Sequence, residues 1–294
     1  MTLHVAWFSS PTLPVMRTVV RAARASDRVF RVATPSEARF FVEAGAYQRP
    51  GDAAGPAPME LLLAALVTCA GSTIDAVLAK MRIPVAALNV VADAERAHRV
   101  PRVYTDILLE FQLASDAPAD RLTHAIEVTE RTCSASVMLA QAVGISPRLV
   151  QVRRVEPEIT RPLRRRILRP HQSLDDLVSP GETDKAAIWL AAFAGEEVVA
   201  TMGLIPEFPP DETAADRPFR LRAMATSDSM RGRGLGAVVL GAGLDHLRSG
   251  GADLVWCAAR TSAVGFYRSA GFTETSDEYQ VEHIGPHVRM AMRL

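Results

Sequence analysis

Arg231-Gly232-Arg233-Gly234-Leu235-Gly236 stands between a strand-like run, residues 219–225, and a helix-like run, residues 234–249. Glycines at this junction let the backbone approach an anion and aim several N–H groups at it. The helix that begins at once adds the positive end of its dipole, so a diphosphate suits the site. The stretch is no Walker loop, because no Gly-Lys-Ser/Thr ends it. Nor does an acidic residue follow as a dinucleotide fold would require.

A second motif follows the next strand, residues 254–258: Ala263-Val264-Gly265-Phe266-Tyr267-Arg268-Ser269-Ala270-Gly271-Phe272. Together the two stretches resemble the GNAT N-acetyltransferase superfamily, with its Arg/Gln-x-x-Gly-x-Gly/Ala loop and its later Ala-x-x-Phe-Tyr-x-x-x-Gly-Phe helix. The resemblance implies acetyl-CoA as cofactor. It gives the backbone of Met224 and Ala225 the pantetheine arm, and Arg231, Gly232, Arg233, Gly234, Leu235 and Gly236 the pyrophosphate. Tyr267 would protonate the departing thiolate, a task that suits a phenol still protonated at neutral pH. Two departures stand out. Arg260 replaces the asparagine that many members carry seven residues before the tyrosine, and residues 219–225 lack the glutamate that often serves as base. Glu207, Asp211 and Glu212 in the preceding loop are alternatives, as is His287 after Gly285-Pro286, although a turn is the simpler reading for that histidine.

Outward from the motifs, the periodicity predicts a helix over 158–168, strands over 188–193, 197–205, 279–282 and 288–293, and a helix over 263–270. No flexible linker precedes this half. Residues 149–155 form a strand-like run that both halves would claim, and the boundary is set at 150/151.

The first half, residues 1–150, opens with alternating apolar and polar positions over 18–41, which predicts a strand meander. A turn-rich stretch, 48–58, leads to a long helix over 59–81 with Cys69 within it. That helix is apolar on nearly every side and belongs in the middle of a domain or a dimer. Strands over 88–95 and 104–113 and a helix over 119–131 follow, and Cys133 starts another short helix through Val143. Gly55-Pro56-Ala57-Pro58-Met59-Glu60-Leu61-Leu62-Leu63-Ala64-Ala65-Leu66-Val67-Thr68-Cys69 resembles the OsmC/Ohr family, whose Pro-Glu-x-Leu-x-Ala-Ala helix carries a peroxidatic cysteine. Cys133-Ser134-Ala135-Ser136 is similar to that family's second-cysteine motif. The resemblance implies a hydroperoxide-reducing pair, Cys69 and Cys133, and an intertwined homodimer. The activating glutamate position is held by Met59, with Glu60 about 100° round the helix. Arg21 and Arg24 are candidates for the activating arginine.

The 33 basic and 33 acidic residues leave no net charge, so no global field favours nucleic acid or an anionic membrane. The longest apolar run, 61–67, is far shorter than a bilayer span, and the N-terminus has no basic flank of a signal peptide. Cys69, Cys133 and Cys257 make neither a disulfide framework nor a zinc site, which fits a cytoplasmic protein without a metal. The expectation is therefore a two-domain chain, an α+β OsmC-like domain followed by an α/β GNAT domain. Its first activity would be acetyl transfer to a small-molecule or peptide amine. Thiol peroxidase chemistry, or CoA sensing on a dimeric scaffold, are the alternatives.

Overall fold

The structure is a computed structural model that describes residues 18–44, 53–210, 215–282 and 284–294. The chain divides into two compact units, residues 1–65 and 66–294. In the first, the alternating run forms an antiparallel meander of β1 (Arg21–Ser26), β2 (Val29–Ala33) and β3 (Arg39–Glu43). The turn-rich stretch returns to β3. There the buried Glu43 accepts the Ala54 N–H at 2.9 Å, and the Glu43 N–H donates to the Pro56 carbonyl at 3.1 Å. Helix α1 (Pro58–Lys80) then begins. Glu60 accepts the Ala57 N–H at 2.7 Å and so serves as the return half of a capping box.

The second unit continues α1 and adds β4 (Ala87–Arg96), β5 (Tyr104–Ala114), α2 (Ala119–Thr132), α3 (Ser134–Leu139), β6 (Gly144–Arg154) and α4 (Pro157–Leu168). It ends with β7 (Ile188–Ala194), β8 (Glu197–Pro206), β9 (Pro218–Thr226), α5 (Leu235–Ser249), β10 (Leu254–Arg260), α6 (Val264–Ser269), β11 (Thr273–Glu274), β12 (Tyr279–Val281) and β13 (Gly285–Arg293). One sheet runs in the order β11-β13-β10-β9-β8-β7-β6-β5-β4, with β12 also on β13. The run over 149–155 lies mostly within β6, which is a member of both ladders. Val150 faces Gln112 on parallel β5 and Ala194 on antiparallel β7. Helix α5 covers this seam, and Ala114, Val150, Val152, Leu190 and Ala192 share one apolar core with its Val238, Val239 and Leu240. The short β11 had no periodicity to announce it, and α3 stops at Leu139, earlier than expected.

Of α1, only the row Leu66, Ala70, Ile74 and Leu78 is buried, at the four-residue spacing of one helix face. Leu62 is 42% exposed. Among the described residues, the other apolar positions of α1 are therefore half-buried or exposed. Run length also understated it: with Thr68, Gly71, Ser72 and Thr73 absorbed, α1 is long and apolar enough to cross a membrane by length and composition.

Candidate active site

Strands β9 and β10 run parallel but pair only from Pro218↔Leu254 to Leu221↔Cys257. Beyond that point Arg222–Thr226 and Ala258–Arg260 have no mutual ladder, so the two strands part. On its other edge β9 carries an irregularity against β8, where Thr201 faces Ala225 and Gly203 faces Arg222. Ala223 sits at φ 54° within this bulge. A bulge bends a strand and frees its backbone groups from the ladder, and here the groups freed include those of Met224.

The chain passes from β9 through a short turn, Asp228–Met230, into the glycine loop. Gly232 and Gly234 both lie at φ 75°, a left-handed conformation that glycine adopts without strain. Gly234 starts α5 with no side-chain cap. Among the described residues no group accepts the N–H of Gly232, Arg233, Gly234, Leu235 or Gly236. These donors, at the end of a 15-residue helix, make an anion cradle at the mouth of the parting strands. A Cβ added at Gly236 would lie 3.4 Å from Phe266 and 3.5 Å from Met224, so the loop, β9 and α6 converge there.

The loop is held from below by residues that no motif marked. Asn89 Nδ2 on β4 and Gln112 Nε2 on β5 donate to the Arg233 carbonyl at 3.1 and 2.9 Å. Gln112 also donates to Glu110 at 2.7 Å, and the fully buried Glu110 pairs with Arg148. The Arg233 guanidinium is engaged by Asp93.

Tyr267 is 6% exposed and sits edge-on to Phe266 and Phe272, with centroids 5.1 and 5.5 Å away. Burial, reinforced by neighbouring Cys257, pushes its phenol well above the usual tyrosine range. It stays a proton donor at any physiological pH. Burial also pushes the Cys257 thiol up to about 12, so that cysteine is an inert core residue.

On the opposite face of the sheet, where Arg164 of α4 stacks over Trp189, a cavity of about 360 Å³ opens beside the parting strands. Arg222 and Ala223 of β9, Ala258 of β10, Arg169 and His287 line it. His287 lies within β13, not in a turn: Gly285 takes φ 103° and Pro286 pairs with Gln280, so the turn-like Gly-Pro opens a strand. His287 Nδ1 is 2.8 Å from the Gly285 carbonyl, which can only accept, so Nδ1 carries the hydrogen and Nε2 is the basic nitrogen of the neutral ring. Glu207 is engaged differently. Burial opposes its charge, but Arg222 and Arg220, at 2.8 and 2.6 Å, outweigh burial and hold the carboxyl below its ordinary range. A carboxylate so held is a poor base. Asp211 and Glu212 lie outside the described residues.

The two cysteines meet on the other side of β4 and β5. Gly71 of α1 packs toward Val90, the neighbour of Asn89, so α1 and the glycine loop occupy opposite faces. Cys69 and Cys133 place their sulfurs 3.2 Å apart. Burial raises the Cys133 thiol, yet the Ser136 hydroxyl and N–H, the Cys69 thiol and the Ala135 N–H together bring it below the ordinary cysteine range. Arg24 pairs with Asp27, and Arg21 is exposed within the first unit.

Two family descriptions match the chain: OsmC-like protein over residues 51–148, and acetyltransferase (GNAT) domain over 182–294. The uncharacterized N-acetyltransferase YitI of Bacillus subtilis is 29% identical over 142 residues, 48% of this chain and 95% of that protein. Protein YhfA of Escherichia coli is 34% identical over 98 residues, 33% of this chain and 72% of YhfA. A crystal structure of an OsmC-like protein from Mycoplasma pneumoniae is 16% identical with a TM-score of 0.40, covering 46% of this chain and 97% of that one.

Proposed function

Because this chain belongs to two families at once, an OsmC-like domain joined to a GNAT acetyltransferase domain that makes it an acyltransferase, we propose that it moves an acetyl group from acetyl-CoA to a small amine. The observation that carries this reading is the row of unpartnered N–H groups from Gly232 to Gly236 at the point where β9 and β10 part. Those donors suit the pyrophosphate, and the freed backbone around Met224 and Ala225 suits the amide-bearing pantetheine arm. The acceptor nitrogen attacks the thioester carbon; an N–C bond forms as the C–S bond breaks. His287 Nε2 takes the amine proton and Tyr267 gives one to the leaving sulfur, after which water restores both groups. No acyl-enzyme is needed, since holding donor and acceptor together in one cleft supplies much of the rate.

Calorimetry with acetyl-CoA tests the site. Gly234→Val forces a side chain into left-handed backbone, with its Cβ 2.8 Å from Asn89 Nδ2. Affinity is expected to fall more than tenfold, about 1.4 kcal/mol or more. Equal affinity in wild type and variant removes the loop assignment. Tight acetyl-CoA binding with no acetylated amine would favour a sensor.

One observation favours a second activity, the 3.2 Å approach of Cys69 and Cys133. In that reading the Cys69 thiolate attacks an organic hydroperoxide, the O–O bond breaks, and an alcohol leaves as a sulfenic acid forms. Cys133 then displaces water to give a disulfide, which an external dithiol reduces. Hydroperoxide consumption with a dithiol is expected to vanish in Cys69→Ser, while Cys133→Ser leaves a trappable sulfenic acid. Thiols that stay reduced under excess oxidant would make this half a scaffold. The open faces of α1 support a homodimer; a cytoplasmic location and the division of the chain near residue 150 are likewise part of this reading.

A further inference from the structure

The charge on the walls of the 360 Å³ cavity beside the parting strands is mainly that of guanidinium groups. Arg164, Arg169, Arg220 and Arg222 line it against one acidic group, Asp176. Asp176 is already bound to the N–H and hydroxyl of Ser173, at 3.1 and 2.7 Å. Arg164 is matched by Glu182 and by the Leu177 carbonyl. Glu207 alone serves both Arg220 and Arg222, so one positive charge of that trio is unbalanced. Both of those arginines also bury an Nε–H that has no acceptor.

Arg169 is less compensated still. The only hydrogen bond of its side chain among the described residues goes to the Leu168 carbonyl, at 2.9 Å. Its neighbour Arg260 donates to the same carbonyl at 3.4 Å. Burial, then repulsion from Arg260, lowers the affinity of Arg169 for its own proton. Two guanidiniums facing one carbonyl, with orphan N–H donors on the next wall, form a receptor for an anion. The anion cradle for the pyrophosphate lies at the glycine loop on the other face, so this one belongs to the acceptor side.

The geometry points to an acceptor that carries a carboxylate as well as its amine, of amino-acid or dipeptide size, with the carboxylate on Arg169 and Arg260 and the amine toward His287. A polyamine meets the same wall as repulsion. This deepens the acetyltransferase reading and rests on it. The acceptor's carboxylate fixes where its nitrogen sits.

The test is initial-rate CoA release by the full-length protein with α- and ω-amino acids, the matching amides, and spermidine. Amino acids are expected to exceed their amides at least tenfold in kcat/KM. Arg169→Gln should erase that difference through KM while leaving acetyl-CoA affinity by calorimetry unchanged; Arg260→Asn should do the same. Equal turnover of acid and amide, preference for spermidine, or no turnover of any carboxylate-bearing amine overturns the inference. Loss of acetyl-CoA binding in the wild type instead overturns the acetyltransferase reading beneath it.

Discussion

At the scale of single residues, Tyr267 shows how one packing arrangement serves two ends. Its ring completes the aromatic cluster with Phe266 and Phe272, and the same burial keeps its phenol protonated. Tyr267→Phe retains the ring and removes only the hydroxyl that would give the proton. Acetyl transfer is expected to drop at least tenfold, about 1.4 kcal/mol, with acetyl-CoA affinity intact. Unchanged turnover would leave Tyr267 a packing residue. Glu207 belongs to stability. Its folded carboxyl titrates below its unfolded value, so its contribution is complete above the unfolded pKa and is lost as pH falls through the folded one. Glu207→Gln should cost about 1–2 kcal/mol at neutral pH and flatten the acid limb of a denaturation series. The glycine loop was legible in the sequence because left-handed backbone needs glycine, whatever surrounds it. The cluster that holds it was not. Asn89 and Gln112 stand 144 and 121 residues from Arg233, and polar residues in alternating strands carry no local mark of such a partner.

At the scale of elements, the long helices and strands followed from periodicity, and their bounds shifted by only a few residues. Strand β12 followed as well, but the two-residue β11 and the start of β13 did not, because so short a run holds no period and only a neighbouring strand defines it. The position of His287 is such a case, settled by pairing with β12 and β10. Helix α1 poses the opposite problem, apolar positions in excess of what one chain covers. If a second copy covers them, Leu62→Glu buries a carboxylate in that interface and should weaken self-association about a hundredfold, near 2.7 kcal/mol. Sedimentation equilibrium checks this; an unshifted mass distribution places the interface elsewhere.

At the scale of the whole molecule, the families found at 51–148 and 182–294 do not correspond to separable bodies in residues 66–294. Composition and motifs identified both halves, yet joining them in one sheet depends on the edge pairing of β6, which no motif encodes. Fragments ending at Val150 and starting at Gln151 each lose part of β6 and uncover the core beneath α5. Both are expected to lack a cooperative thermal transition, whereas residues 66–294 of the intact protein melt in one step by circular dichroism. Separate transitions for the parts of residues 66–294 before and after residue 150 would contradict this. The shared strand also bears on inheritance. A recombination event that swapped either half for a relative's would deliver a β6 fitted to one neighbour and foreign to the other. Lineages carrying this fusion should therefore exchange it as a single gene, and each half should accumulate substitutions in step with its mate.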